Sequence, residues 1–277
     1  MFTTPPTAII ATIGPLTLRW YGLCIALALL AGFFLFRYLL GRGGFKKIIA
    51  EDLMLSLILV GLIGARLYYV LYAWSYYHNH LVEIVQLWQG GLAIHGTLIG
   101  GGLAAWWYAR RHRLSFLLLI DLAVPAMALG QAIGRWGNYF NQELFGRPTA
   151  LPWGIPIDPS HRPSAFASFE FFHPTFLYES ALDLILVGVL VWLIRRWPNR
   201  RPGNIAAVYA IGYGIIRLAM EFLRVDYSPI VAGVRWAGVV SVALILGGWL
   251  WLNLRNIKLL LTASKLPSGF ISTIFKR

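Results

Sequence analysis

The 277 residues are 58% hydrophobic and only 13% charged, and the formal net charge is +13. Soluble domains carry roughly 25% charged residues, so this composition excludes an ordinary soluble fold and describes a polytopic membrane protein. The positive balance would suit nucleic acid, but the basic residues lie in short loops between apolar runs, where they report membrane orientation and anionic lipid; no nucleic-acid partner is expected.

In chain order, seven segments reach the ~20 apolar residues that a bilayer requires, at about 18–40, 52–72, 92–109, 116–136, 174–194, 204–223 and 234–254. The expected fold is all-α, with seven transmembrane helices forming a single integral membrane domain over residues 1–277. The start lacks a basic stretch followed by a short apolar one, so no cleavable signal peptide is expected. Cys24, the only cysteine, lies in span one and reads as a small packing residue. Arg37, Arg42, Lys46 and Lys47 follow span one; Arg110, Arg111 and Arg113 follow span three; Arg195, Arg196, Arg200 and Arg201 follow span five. Arg255, Lys258, Lys265, Lys276 and Arg277 form the tail. With seven spans, these 16 of the 24 basic residues share one side, which is therefore cytoplasmic, and the N-terminus is outside.

The other eight basic residues are all arginine: Arg19, Arg66, Arg135, Arg147, Arg162, Arg217, Arg224 and Arg235. Each maps to the outer half of a span or to an outer loop, where Tyr21, His95, His173, Tyr178, Glu179 and Glu221 also fall. Only Asp121 and Asp183 sit deeper. Two outer segments are too long to be bare turns. Residues 73–91 include Leu81, Ile84, Val85 and Trp88 at amphipathic spacing, as in a segment lying in the interface plane. Residues 144–173, rich in proline and aromatics, are expected to cap the outer side.

Charged groups inside a membrane are costly and by default mark function. If span four continues as a helix, Gln131, Arg135, Asn138 and Gln142 share one face, which must look into a polar cavity. Span six carries Tyr213, Arg217, Glu221 and Arg224 as one stripe. Arg217 and Glu221 read either as a self-neutralising pair or as an anion ligand with its positioning carboxylate. A second guanidinium from Arg135 favours the latter, because two arginine forks match a phosphate. His95, at the start of span three beside glycines 96 and 100–102, is either a hydrogen-bonded structural residue or a base able to take a proton from a thiol or hydroxyl. Gly130 and Gly134 read as helix-packing positions. There is no Cys/His metal spacing and no phosphate loop, so no cofactor or metal is expected.

The motifs LRWYG (18–22), GARLYYV (64–70), HGTLIGG (95–101), GRWGNYFNQELFGRPT (134–149), HPTFLYES (173–180) and GYGIIRLAMEFLR (212–224) resemble those of the bacterial prolipoprotein diacylglyceryl transferases, over nearly the whole chain. Thr97 and Gln142 stand where that family usually has glycine. The resemblance implies transfer of the diacylglyceryl group of phosphatidylglycerol to the lipobox cysteine of a prolipoprotein signal peptide, with release of glycerol 1-phosphate. It implies an enzyme of the bacterial inner membrane whose site opens to the outer leaflet and needs no cofactor. It points to His95, Arg135 and Arg217 as catalytic. It points to Tyr21, Asn138, Glu143, Gly146, Tyr213 and Glu221, with Arg135, as substrate-binding or supporting positions. An anion or head-group transporter using the same arginine pair is the alternative. It would show internal repeats or interrupted helices, and the sequence shows neither.

Overall fold

Residues 7–14, 16–86, 90–198, 200–225, 230–231 and 234–263 are described by the structure, a computed structural model. In lipid every backbone N–H and C=O must be satisfied within its own segment, which favours helix wherever an apolar run is long. Each of the seven expected spans is helical. They form α1 (Trp20–Arg42), α2 (Ile48–Tyr72), α4 (Ile94–Arg111), α5 (Phe116–Phe140), α6 (Thr175–Arg196), α7 (Asn204–Glu221) and α8 (Trp236–Ala263), with a single turn, α3 (Trp74–Tyr77), after α2. Among the described residues, five helices are long and apolar enough to cross a membrane: α1, α2, α5, α6 and the Trp236–Leu254 part of α8. The remaining two, α4 and α7, have 18 residues each and carry glycine, tyrosine and charged side chains that make them less apolar.

To this helical frame the structure adds three antiparallel hairpins outside the long helices: β1 (Ile9–Ile13) with β2 (Leu16–Arg19), β3 (Ile155–Pro156) with β4 (Phe171–Phe172), and β5 (Ile230–Val231) with β6 (Val234–Arg235). The chain divides into two compact units, one formed by Leu30–Ala126 and the other by Met1–Leu29 with Met127–Arg277.

In the Leu30–Ala126 unit, α2 and α4 cross at glycines. A Cβ on Gly64 would stand 2.4 Å from the Gly96 carbonyl oxygen, and one on Gly96 would stand 2.1 Å from that of Gly64. Side chains are therefore excluded there, and backbone meets backbone, the packing mode of small-residue crossings in membranes. Thr97 lies beside this contact. Its methyl is 3.5 Å from a Cβ built on Gly61, an ordinary van der Waals distance, so a side chain in place of glycine is accommodated. Arg66, 5% exposed, pins the segment after α3. Its Nε donates to the Ile84 carbonyl at 2.8 Å, its Nη1 to those of Gly90 and Gly91 at 2.6 and 3.0 Å, and its Nη2 to that of Glu83. The guanidinium also lies over the Tyr77 ring. Leu81–Val85 forms a 3-10 turn that leaves Leu81, Val82 and Val85 exposed, with Ile84 half-buried. Trp88 lies outside the described residues.

In the other unit, α7 and α8 approach closely at Gly214 against the Ser241 carbonyl and at Gly248 against the Ala207 carbonyl. Residues 144–173, expected as a cap, contribute a small hydrophobic cluster. Phe145, Ile155, Ile157, Phe172 and Phe176 make a small core of their own, so this segment is folded rather than a bare loop. Cys24 is buried, in keeping with a packing role.

Candidate active site

The α5 stripe holds as far as it is helical. Gln131, Arg135 and Asn138 share a face, but α5 ends at Phe140. Gln142 lies beyond it with left-handed backbone, φ 51°, and so leaves the stripe. The chain reverses here: the Glu143 N–H donates to the Asn138 carbonyl at 3.0 Å. This brings the Asn138 amide to Glu143 Oε1 at 2.8 Å, and Asn141 reaches the same oxygen at 3.4 Å. Asn138 is 6% exposed, whereas Glu143 stands exposed. The pair therefore presents a carboxylate at the surface, oriented from behind by a buried amide.

Arg135 contacts Glu179 of α6 at 2.5 Å through Nη2. The other oxygen of Glu179 accepts Arg224 Nη1 at 3.1 Å. Along α7, Arg217 contacts Glu221 one turn on, at 2.6 Å, and Arg235 Nε contacts the second Glu221 oxygen at 2.6 Å. Arg235 also donates to the backbone carbonyls of Arg224 and Glu221, at 3.3 and 3.4 Å, which joins the two ion chains. Helical spacing pairs Arg217 with Glu221, and the sequence alone leaves the other charges of the cluster, Glu179, Arg224 and Arg235 among them, without partners. The structure pairs Arg217 with Glu221, as either reading of that pair requires. Among the described residues, two buried glutamates are each contacted by two arginines.

Exposure separates the roles within the cluster. The side chains of Glu179 and Glu221 are 3% and 8% exposed, while Arg135 and Arg217 each keep 17%. The buried carboxylates hold the guanidiniums of Arg135 and Arg217, which stay partly exposed. The Nε of Arg135 is buried and has no hydrogen-bond partner among the described residues. A planar fork offering several directional donors, held in place by a carboxylate, is suited to an oxyanion such as phosphate.

Further polar groups line the same unit. Tyr213 stacks on Tyr209 at 5.8 Å, and the Tyr209 hydroxyl donates to Gln131 Oε1 at 3.0 Å. Asp183, one turn beyond Glu179 on α6, is fully buried. Tyr21 packs on Gly137: a Cβ there would meet the tyrosine ring at 2.6 Å. Of the span-four glycines, this contact falls on Gly137 rather than on Gly134, whose Cβ would meet nothing within 4 Å. Gly146 is required by close approach. A Cβ would lie 2.6 Å from that of His173, while the Gly146 N–H donates to the His173 carbonyl at 2.9 Å. His95 belongs to the Leu30–Ala126 unit, in the first turn of α4, where it is exposed and stacks on Tyr68 at 5.5 Å. Among the described residues no group of His, Cys, Asp and Glu has the arrangement of a metal site.

The family model of the prolipoprotein diacylglyceryl transferases matches residues 8–254. Among curated proteins, the phosphatidylglycerol–prolipoprotein diacylglyceryl transferase of Trichormus variabilis is 46% identical over 260 residues, covering 91% of this chain and 92% of its own. The protein of the same name from Acaryochloris marina is 44% identical over 262 residues, covering 93% and 95%. That of Gloeobacter violaceus is 42% identical over 257 residues, covering 91% and 95%.

Proposed function

The chain belongs to the prolipoprotein diacylglyceryl transferase family and is a membrane-embedded transferase of lipoprotein maturation; we propose how its residues carry out that transfer. The lipobox cysteine of a prolipoprotein signal peptide loses its thiol proton. The sulfur attacks the glyceryl carbon of phosphatidylglycerol that bears the phosphate. The C–S bond forms as the C–O bond breaks, and glycerol 1-phosphate departs with the electron pair. No metal or organic cofactor takes part.

The observation that carries this reading is the arginine centre, in which Arg135 and Arg217 are each held by a buried glutamate. A phosphodiester gains negative charge as it becomes a leaving monoester. Donors already in place in a water-poor setting stabilise that charge without reorganising. Arg135 and Arg217 are the proposed ligands of the phosphate, oriented by Glu179 and Glu221. Asn138 and Glu143 offer an amide and an exposed carboxylate to the hydroxyls of the glycerol head group. Tyr21, Tyr213 and Gly146 support these positions through packing. His95 is the proposed acceptor of the thiol proton, a task for which neutral imidazole is suited.

The purified protein, incubated with phosphatidylglycerol and a lipobox peptide, is expected to add one diacylglyceryl group to the peptide, read as a mass shift. Peptide left unmodified by well-folded protein would refute the assignment.

We read all seven long helices as crossing the bacterial inner membrane within one functional domain, with both termini of α1 joined to loops on opposite faces. The basic loops then face the cytoplasm, and residues 73–91 and 144–173 face outward. In a Cys24→Ser background, a cysteine placed at Ser160, which is exposed in the cap, is expected to react with an impermeant maleimide from outside. One at Ser115, between α4 and α5, is expected to react only after permeabilisation. The opposite pattern would overturn both the orientation and an outward-facing site.

A further inference from the structure

Just past α5, two residues that are not glycine hold left-handed backbone, Gln142 at φ 51° and Leu144 at φ 57°. Glu143 lies between them. Such backbone is strained for any residue with a Cβ, and it persists only where the surroundings over-determine it. Leu144 is held by fully buried Thr175, whose hydroxyl donates to the Leu144 carbonyl. Gln142 is held by its own side chain. Its Nε2 donates to Asp158 Oδ2 at 2.6 Å, and its Oε1 accepts the Asp158 backbone N–H at 2.7 Å. Gln142 is 8% exposed, so water competes little for these bonds. The far side of the contact is equally fixed. Ile157, beside Asp158, is buried in the cap core, its N–H donates to the Glu170 carbonyl at 3.2 Å, and its carbonyl accepts Arg162 Nε at 2.7 Å.

The geometry points to Gln142 and Asp158 as a latch that ties the backbone carrying Glu143 to the cap, and so positions Glu143 and its partner Asn138 for the lipid head group. This rests on the reading that those two residues meet the head group. A glycine at 142 would adopt this φ without strain but would have no side chain to reach Asp158. This chain accepts the strain and gains a two-point clamp in return. Gln142 is thus a positioning residue; it acts through Glu143 and touches no reacting atom.

Steady-state kinetics with phosphatidylglycerol separate the latch from a merely structural role. Gln142→Gly relieves the backbone, so folding is preserved while the clamp is lost. Its KM for phosphatidylglycerol is expected to rise about tenfold, as for one buried polar contact, with kcat within about twofold of wild type. Asp158→Ala is expected to raise KM in the same direction, and the double variant to be no worse than Gln142→Gly alone, since one interaction is being removed. Asp158→Asn keeps both an acceptor oxygen and the backbone N–H, and is expected to retain the wild-type KM. A structural role alone would lower the fraction of active enzyme, and hence apparent kcat, at constant KM. An unchanged KM in Gln142→Gly, or effects that multiply in the double variant, would overturn the latch. Absence of transfer by the wild-type protein would instead count against the functional reading beneath it.

Discussion

Arg135→Lys and Arg217→Lys are each expected to lower turnover by roughly 10²–10³-fold, equivalent to about 2–4 kcal/mol of lost transition-state stabilisation, although the formal charge is kept. The reason is geometric. An ammonium is a point charge on a flexible stem, while a guanidinium spreads several donors in one plane and engages a carboxylate and a phosphate at once. Arg135 already commits Nη2 to Glu179, and Arg217 commits Nη1 to Glu221. Lysine in either place has one nitrogen for both partners. If it stays with the buried glutamate, the phosphate loses a ligand. If it turns to the phosphate, the glutamate is left buried without that counter-charge, a costly arrangement in low dielectric. Turnover measured on purified variants, normalised to folded protein, decides the matter. Near-wild-type rates in one variant would remove that arginine from the phosphate site.

The same chemistry explains what the sequence made legible. Long apolar runs favour helix, so helices stand where hydrophobicity placed all seven, α5 and α6 within a few residues, and five of them are long and apolar enough to cross a membrane. The charges Arg135, Arg217 and Glu221 in apolar runs were equally visible, because charges in such runs have no ordinary structural use. So was the Arg217–Glu221 pair, one turn apart on α7; the other pairings were not. Glu179 bridging Arg135 and Arg224, and Glu221 reaching Arg235, are contacts between different elements, and helical spacing reports only neighbours on the same helix. One signal was available: arginines in or beside apolar runs must find carboxylates, and the chain has only 11 acidic residues. Arg66 shows the reverse case. By position it belonged with the polar cluster, yet its guanidinium is spent on four backbone carbonyls of its own unit. The two-residue strands β3 to β6 carry too little pattern to announce themselves. Gln142 was read as the end of a helical stripe because nothing local marks glutamine for left-handed backbone; the cause is its distant partner Asp158.

His95→Gln is expected to abolish most turnover while leaving phosphatidylglycerol binding largely intact. The argument begins with the nucleophile. A cysteine thiol ionises near pH 8.5, so at neutral pH only a few per cent is thiolate, and the reaction needs a group that removes the proton as the sulfur attacks. Imidazole titrates close to neutrality and serves in its neutral form. His95 is exposed in the first turn of α4 and stacked on Tyr68, which fixes the plane of the ring without shielding it from solvent. Glutamine keeps a hydrogen-bonding end of similar reach but accepts no proton near pH 7. The variant should therefore bind lipid and fail at the chemical step. Raising the pH from 7 toward 9 converts the peptide thiol to thiolate directly, and should recover part of the lost rate in the variant more steeply than in wild type. Lipid binding, followed by equilibrium titration with phosphatidylglycerol, supplies the second measurement. Loss of binding in His95→Gln, together with no recovery at high pH, would make His95 a head-group ligand or a structural residue and assign the thiol proton to another acceptor.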